Sequence, residues 1–111
     1  MGISTHVLDT SSGMPAVGVG VVLERFDRGA WKEIGSATTD ADGRCKGLLR
    51  EGAAVEFGRY RVRFDTGDYF AALQTGCLYP YVEIVFEVTD ERHYHIPLLL
   101  TANGYTTYRG S

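Results

Sequence analysis

Several features that mark common functional classes are missing from this chain of 111 residues. No apolar run approaches the roughly 20 residues that a membrane-spanning helix needs, and the polar residues 1–6 do not form a secretory signal segment. The formal net charge is -3, whereas binding to a nucleic acid backbone requires a basic face. We therefore expect a cytoplasmic protein that binds neither membranes nor nucleic acids.

Cysteine is scarce, and two motifs of hydrolases and nucleotide-binding proteins are absent. The two cysteines, Cys45 and Cys77, do not form a C-x-x-C pair. We expect free thiols, because nothing marks the chain as secreted; a single disulfide is the alternative. There is no G-x-S-x-G motif, and Gly18-Val19-Gly20 lacks the third glycine and the helix of a dinucleotide-binding loop. A serine nucleophile and a glycine-rich phosphate loop are therefore not indicated.

What the chain contains is a series of short alternating segments separated by turn signals. The alternation predicts strands at residues 3–8, 17–26, 31–39, 58–65 and 82–88. Ala102-Asn103-Gly104 predicts a turn within a closing hairpin whose second strand runs to the end of the chain. One short helix is predicted at residues 69–76, with Asp68 as its N-cap and Gly76 as its stop. Seven or eight strands at this spacing predict an all-β antiparallel sandwich that forms one domain over residues 1–111.

The predicted strand at residues 58–65 alternates apolar and basic side chains. Tyr60, Val62 and Phe64 are expected to face the core. The opposite face then carries three arginines, which are Arg59, Arg61 and Arg63. An anion-binding site and an ordinary solvated face both fit this pattern, and the solvated face is the favoured interpretation.

Histidine is rare, and the candidate chemistry concentrates on its three residues. His93 and His95 lie two positions apart on a predicted strand, so they share a face, and His6 lies on the first strand. A pKa near neutrality suits proton transfer. Three histidines are also a known way to hold zinc, although no carboxylate or cysteine completes an obvious ligand set. A purely structural role is the third interpretation.

Two arginines and a serine are candidate partners of the histidines. A neighbouring guanidinium favours a neutral imidazole, which can act as a base. The chain offers Arg44 after an Asp-Gly turn and Arg109 near its end, but only the fold can bring Arg44 near a histidine. Ser111 fits a polar contact to substrate or water better than a nucleophile.

The segments that carry these residues resemble the 5-hydroxyisourate hydrolase family, which contains the enzymatic relatives of transthyretin. The resemblance covers nearly the whole chain, and the stretches that carry it are His6-Val7-Leu8-Asp9-Thr10, Gly13-Met14-Pro15-Ala16, Thr39-Asp40-Ala41-Asp42-Gly43-Arg44, Tyr60-Arg61-Val62, Phe64-Asp65-Thr66-Gly67-Asp68-Tyr69-Phe70, Phe86, His93-Tyr94-His95-Ile96-Pro97 and Tyr108-Arg109-Gly110-Ser111. The terminal tetrapeptide is the most specific element, and transthyretin lacks it together with the active-site histidines. The chain departs from the family at Thr106, where many members have serine, and in the loop at residues 101–103.

The resemblance implies a transthyretin-like sandwich and a specific reaction. The reaction is hydrolysis of 5-hydroxyisourate to 2-oxo-4-hydroxy-4-carboxy-5-ureidoimidazoline, between urate and allantoin, without a metal or an organic cofactor. The implied assembly is a homotetramer, a dimer of dimers, with active sites in a channel between the dimers. The implied catalytic residues are His6, Arg44, His95 and Ser111. The implied substrate contacts are His6, Arg44, Tyr108, Arg109 and Gly110, with His93 in a supporting role.

Two other functional classes remain open on the sequence alone. One is a small-molecule carrier of the transthyretin type, and the other is a structural or partner-binding sandwich. Tetramer formation does not separate these classes from a hydrolase. Turnover of a small-molecule substrate does.

Overall fold

The computed structural model describes residues 2–110, and within them it contains eight strands and one helix. In chain order these are β1 (Ile3–Asp9), β2 (Met14–Pro15), β3 (Gly20–Asp27), β4 (Ala30–Thr38), β5 (Gly58–Phe64), α1 (Thr66–Ala72), β6 (Val82–Val88), β7 (Tyr94–Thr101) and β8 (Gly104–Thr107). The strands form two four-stranded sheets, sheet A in the order β2-β1-β7-β8 and sheet B in the order β4-β3-β5-β6. The predicted all-β sandwich with one short helix is confirmed.

One strand pair differs from the antiparallel arrangement that the sequence predicts. β1 and β7 run parallel, with Ile3 opposite Tyr94 and Asp9 opposite Leu100. The other pairs between the named strands are antiparallel. Hairpin signals report only on strands that are close in sequence, whereas this pair joins the first strand to the seventh across the whole of sheet B. The turn signals therefore carried no information on its direction.

The core lies between the inner faces of the two sheets and follows the predicted alternation. In β5, Tyr60 and Val62 are each 1% exposed and Phe64 is 0% exposed. In β1 and β7, the side chains of Val7 and Leu98 meet them from sheet A, both fully buried. Each such side chain contributes about 1.5–3 kcal/mol through removal of apolar surface from water. The same alternation leaves every second residue of β1 and β7 on the outer face of sheet A.

The outer face of sheet B carries the three arginines of β5, which we call the arginine face. Each guanidinium has a carboxylate partner: Arg59 meets Glu87 at 2.8 Å, Arg61 meets Glu24 at 2.8 Å and Glu83 at 3.2 Å, and Arg63 meets Asp65 at 3.1 Å. The predicted outward alternation is confirmed. Because neighbouring carboxylates take up the charge, the arginine face is a network of ion pairs.

The helix begins earlier than the sequence predicts. α1 has Asp65 at its N-cap position, with no side-chain capping hydrogen bond, in place of the predicted Asp68. Asp68 lies inside the first turn. An acidic side chain is favourable there as well, because it faces the partial positive charge of the helix N-terminus. An aspartate at the N-cap and an aspartate in the first turn are therefore both typical of a helix start. Asp65 and Asp68 lie three residues apart, so the predicted start was three residues late.

The helix also ends earlier than predicted, at Ala72, and is followed by a glutamine in the left-handed backbone conformation. Gln74 has a φ of 55°, and its N–H donates to the Ala71 carbonyl at 2.9 Å. The Thr75 N–H donates to the Phe70 carbonyl at 2.9 Å. This pair of bonds is a Schellman motif, which glycine most often completes. Gly76 was the predicted stop for that reason, and the helix ends at Ala72 without using it.

Two further expectations can be compared with the structure. The first predicted strand of sheet B starts at Gly20 instead of residue 17, because the Val19 N–H bonds to the Thr39 hydroxyl at 2.8 Å outside any ladder. Both cysteines are free thiols, as expected. Within residues 2–110, no helix has the length and apolar character needed to cross a membrane.

Candidate active site

The parallel pairing of β1 with β7 gathers the histidines on the outer face of sheet A. Ser4 lies opposite His95 and His6 lies opposite Pro97 in the register of the two strands. His93 directly precedes β7 and continues its alternation. Side chains two positions apart point to the same face, so Ser4, His6, His93 and His95 form one patch. We call this patch the histidine face.

A tight turn carries Arg44 to this patch. The Val7 N–H donates to the Gly43 carbonyl at 2.8 Å, and His6 and Arg44 pair through their backbones. Gly43 has a φ of 77°, and a Cβ atom there would lie 2.4 Å from the Val7 carbonyl oxygen. The Asp40 carboxylate fixes the turn by accepting the Arg44 N–H at 3.0 Å. Glycine is required at residue 43 because any side chain would push the Arg44 turn off β1.

The hydrogen bond of His6 determines which of its ring nitrogens carries a proton. Its Nε2 lies 2.8 Å from the Asp42 carbonyl oxygen. A carbonyl oxygen only accepts, so Nε2 must donate an N–H to it. In the neutral ring Nδ1 is then the unprotonated nitrogen. The Arg44 turn thus holds His6 in one tautomer.

His95 is held on two sides and keeps one ring nitrogen free for chemistry. Its Nδ1 lies 2.7 Å from the Ser4 hydroxyl oxygen. On another side the ring packs against Gly110, where a Cβ atom would lie 2.4 Å from Cδ2 of His95. The Gly110 N–H donates to the His95 carbonyl at 2.9 Å. Within residues 2–110, Nε2 of His95 has no hydrogen-bond partner, so it is the nitrogen available to a substrate or a water.

The surroundings of His95 favour its neutral form. Burial lowers the pKa of His95, and the positive charge of Arg44 lowers it further. Both effects disfavour an imidazolium. A half-buried neutral imidazole with a free Nε2 is suited to accept a proton near pH 7.

The last described residues divide between the histidine face and the edge of the sandwich. Gly110 packs on His95, as above. The Arg109 guanidinium instead lies 4.1 Å from the centre of the Tyr94 ring and 3.9 Å from an Asp90 carboxylate oxygen. Tyr108 is 55% exposed and lies beside Arg109 in a shallow groove between β6 and β8. The predicted second hairpin strand reaches only Thr107, after which a single backbone bridge, from Gly110 to His95, continues the pairing.

The structure therefore brings some of the predicted site residues together and not others. His6, Arg44, His95 and Gly110 meet on or beside the histidine face, with His93 at its exposed end. Ser111, predicted as a catalytic residue, lies outside the described residues.

Ser4, which lies at the centre of the histidine face, was not among the residues predicted from the sequence. Its hydroxyl oxygen is 2.7 Å from Nε2 of His93 and 2.7 Å from Nδ1 of His95. The signal that would have found Ser4 is its spacing of two residues from His6, which places both side chains on the same face of β1.

The donor atoms of this patch are arranged as a hydrogen-bond network. In the described part of the chain, no three His, Cys, Asp or Glu side chains form a group able to hold a metal ion. His6 faces a carbonyl oxygen, while His93 and His95 face a hydroxyl. Cys45, which follows Arg44 in the sequence, is also poorly suited as a thiolate ligand, because burial raises the pKa of its thiol to about 11. The residues present fit proton transfer better than metal ligation.

Comparison with known proteins places this geometry in context. The family model described as "HIUase/Transthyretin family", where HIUase denotes 5-hydroxyisourate hydrolase, matches residues 3–110. A 5-hydroxyisourate hydrolase of Mus musculus is 45% identical over 112 residues, which cover 98% of this chain and 94% of the mouse protein. The solved structure of a Klebsiella pneumoniae 5-hydroxyisourate hydrolase has a TM-score of 0.86 and 36% identity, and the match covers 98% of both chains.

A hormone-binding protein matches the fold equally well. Sea bream transthyretin, solved in complex with thyroxine, has a TM-score of 0.91 and 32% identity, over 97% of this chain and 93% of that one. The backbone alone therefore does not separate an enzyme from a carrier. The side chains of the histidine face have to do so.

Proposed function

The chain belongs to the 5-hydroxyisourate hydrolase/transthyretin family, and from this premise we propose that it hydrolyses 5-hydroxyisourate in urate degradation. The product is the one that the family resemblance implies, 2-oxo-4-hydroxy-4-carboxy-5-ureidoimidazoline, and residues 1–111 act as one hydrolase domain. The observation that carries the proposal is the His95 imidazole, which is favoured in its neutral form, has no hydrogen-bond partner at Nε2 within residues 2–110 and lies within the electrostatic reach of Arg44.

The mechanism begins with a proton transfer to His95. Nε2 of His95 takes a proton from a water molecule, and the water oxygen bonds to the carbonyl carbon next to the ring nitrogen of the substrate. The carbonyl oxygen gains negative charge, which the guanidinium of Arg44 stabilises. The C–N bond then breaks, and the nitrogen takes the proton back from His95. This sequence uses no metal and no organic cofactor.

His95 is a better candidate for the general base than His6. Burial and the neighbouring charge of Arg44 hold His95 in the neutral form that a base needs. His6, whose Nε2 donates to the Asp42 carbonyl, has the proposed role of orienting the substrate beside Arg44.

The remaining predicted residues complete the proposal in smaller roles. Tyr108 and Ser111 contact the substrate or the attacking water. Gly110 gives the His95 ring its position. Arg109 stabilises the terminal segment through Tyr94 and is proposed, with Gly110, as a further substrate contact.

Assembly is part of the same proposal. We propose a homotetramer, a dimer of dimers, with the histidine face lining a channel between dimers. In its support, β6 and β8 are edge strands of their sheets, and they carry the exposed side chains of Val85 and Tyr105, which are 54% and 42% exposed. Open edges with apolar residues favour pairing with another chain. Sedimentation equilibrium at four times the chain mass is the expected result, and a monomer would contradict it.

The proposed location is the cytoplasm. Two free thiols fit a reducing compartment. Fractionation of the source cells with antibody detection checks this location, and recovery of the protein from an oxidising compartment would contradict it.

The experiment that tests the function is the ultraviolet decay of freshly generated 5-hydroxyisourate with and without the protein. We expect accelerated decay that survives treatment with a chelator. The His95→Asn variant should lower kcat roughly 100-fold or more, because it removes the base. A folded variant with unchanged kcat would remove His95 from that role.

A transthyretin-type carrier is the second candidate function, favoured by the fold match to the sea bream protein. No acceleration by folded wild-type protein, together with saturable binding of thyroxine, would favour the carrier over the hydrolase.

A further inference from the structure

Three side chains of the histidine face form a continuous hydrogen-bonded row. The Ser4 hydroxyl oxygen is 2.7 Å from Nε2 of His93 on one side and 2.7 Å from Nδ1 of His95 on the other. The row begins at the half-buried His95, whose Nε2 is free for chemistry, and ends at His93, which is exposed to solvent. It therefore joins the site of proton transfer to the surface.

A hydroxyl group has a single proton, and this limits the states of the row. If Ser4 donates to His93, it must accept from His95, so the His95 proton lies on Nδ1 and its Nε2 is a base. If Ser4 donates to His95, it must accept from His93, so the His95 proton lies on Nε2 and that nitrogen is an acid. Ser4 and His93 together thus set which of the two forms His95 adopts.

We propose that Ser4 and His93 are a proton relay for the hydrolysis, which moves the positive charge created on His95 out to His93. The inference rests on the proposed function. A proton taken from water by Nε2 leaves both nitrogens of His95 protonated. The Nδ1 proton then passes to the Ser4 oxygen as the Ser4 hydroxyl proton passes to Nε2 of His93.

All protons of the row return to their starting positions over the full catalytic cycle. After the transfer His95 is neutral with its proton on Nε2, Ser4 again holds one proton, and His93 carries the positive charge. When Nε2 of His95 gives its proton to the nitrogen released from the broken C–N bond, the two transfers reverse and the starting state returns. Only N–H and O–H bonds change within the row, so no further reactant is needed.

The surroundings of the two histidines give the relay its direction. An imidazolium at His95 would be half-buried and would face the positive charge of Arg44. His93 is solvent-exposed and borders a shallow depression that Gly2, Cys45 and Arg50 also line. Water stabilises a charge at His93 better than the interior of the patch does at His95, because desolvation disfavours the charged form.

Ser4→Ala is the first test, since it removes the hydroxyl and keeps the strand. With 5-hydroxyisourate as substrate, we expect kcat to fall about 10- to 100-fold, the range that loss of a hydrogen-bond partner of a metal-ligating histidine produces, with KM little changed. Ser4→Thr retains a hydroxyl and should restore most of kcat. Ser36→Ala, at an exposed serine of β4 in sheet B, is the matched control. Unchanged kcat in folded Ser4→Ala would overturn the relay.

The solvent isotope effect separates a relay from a structural role of Ser4. In mixtures of light and heavy water, kcat of the wild-type protein should depend on the deuterium fraction along a curve, because several protons move together. In Ser4→Ala the dependence should become linear. A linear dependence in the wild-type protein would overturn the relay even if Ser4→Ala is slow.

His93→Ala provides an independent test that leaves the Ser4–His95 hydrogen bond in place. We expect a lower kcat that free imidazole restores, because the position of His93 is open to solvent. Imidazole should not restore Ser4→Ala. Wild-type kcat in His93→Ala would overturn the relay while the hydrolase assignment stands. Wild-type protein that does not hydrolyse 5-hydroxyisourate would overturn the proposed function and the relay with it.

Discussion

The two outer faces of the sandwich both carry cationic side chains, but the faces differ in whether carboxylates neutralise the charge. On the arginine face of sheet B, each of the three guanidinium groups has a carboxylate within 3.2 Å. On the histidine face of sheet A, no carboxylate of residues 2–110 lies within ion-pair distance of Arg44. The same strand alternation produced both faces, so alternation alone does not distinguish them. The presence or absence of a neighbouring carboxylate does.

The difference matters because a guanidinium that is already paired has its donors occupied. Arg61 directs its donors at Glu24 and Glu83 and packs over the Trp31 ring at 4.4 Å. Its charge stabilises the sheet and is neutralised locally. Among residues 2–110, Arg44 makes hydrogen bonds only through its backbone, to Asp40 and His6, so its charge acts on His95 and on whatever binds there. Four substitutions test this contrast.

The largest effect is expected from Arg44→Gln, which removes the unpaired charge from the histidine face. Loss of the group that stabilises the oxyanion should lower kcat roughly 10²- to 10³-fold. Arg44 also lowers the pKa of His95, so its removal raises that pKa. Because the base works only when neutral, the acidic limb of the kcat/KM profile should move to higher pH. An unshifted acidic limb would mean that His95 is not the titrating base. His6 and His93 would then be the remaining histidine candidates for that role.

Gly110→Ala should have the next largest effect, because it crowds the same imidazole from the other side. The added Cβ would lie 2.4 Å from Cδ2 of His95, so the ring or the terminal segment must shift. A displacement of about 1 Å at a reacting group lowers rates up to about 100-fold, and we expect a loss between tenfold and that value. The assay is 5-hydroxyisourate decay, with circular dichroism to confirm folding. Gly76→Ala, where no atom lies within 4 Å of the added Cβ, is the control.

Arg61→Met tests the arginine face and should alter stability while leaving kcat unchanged. Arg61 and Glu24 have side chains that are 22% and 17% exposed. Removing the arginine leaves a largely buried carboxylate without its partner, which costs about 1–3 kcal/mol. Urea denaturation at fixed protein concentration measures the change. A large loss of kcat at full stability would show that this face also serves the reaction.

Arg59→Gln should have the smallest effect of the four. Its side chain is 55% exposed and its partner Glu87 is 51% exposed. Exposed ion pairs contribute about 0–1 kcal/mol and are screened by salt. We expect the free energy of unfolding to change by less than about 1 kcal/mol, with kcat unaltered. A change as large as that of Arg61→Met would mean that burial does not set the strength of these pairs.

The sequence was informative where structure repeats locally. Alternation located the strands other than the two-residue β2 to within a few residues and assigned the faces of β1 and β5, because the two-residue period is a property of each strand by itself. The helix was placed three residues late at its start, and its end was missed. The left-handed conformation of Gln74 accompanies two backbone hydrogen bonds at the helix end, and no residue type in the sequence indicates them.

The site was only partly accessible to sequence reasoning. The residue types of His6, Arg44 and His95 suggested proton transfer, but their proximity depends on the parallel register of β1 and β7. That register also places Ser4 beside His95 across 91 positions of sequence, a distance over which spacing arguments do not reach. The location of Arg109 on the Tyr94 ring is a packing outcome of the same kind.

The parallel pair also has a consequence for the order in which the molecule assembles. In sheet B the order β4-β3-β5-β6 joins segments that follow one another along the chain. Sheet A cannot close until β7 reaches β1, and the entropy lost on closing a loop grows with its length. During synthesis from the N-terminus, β1 is made first and waits for the last strands. We therefore expect the arginine face to be protected from hydrogen exchange early in refolding, and the histidine face to be the last part of the protein to form.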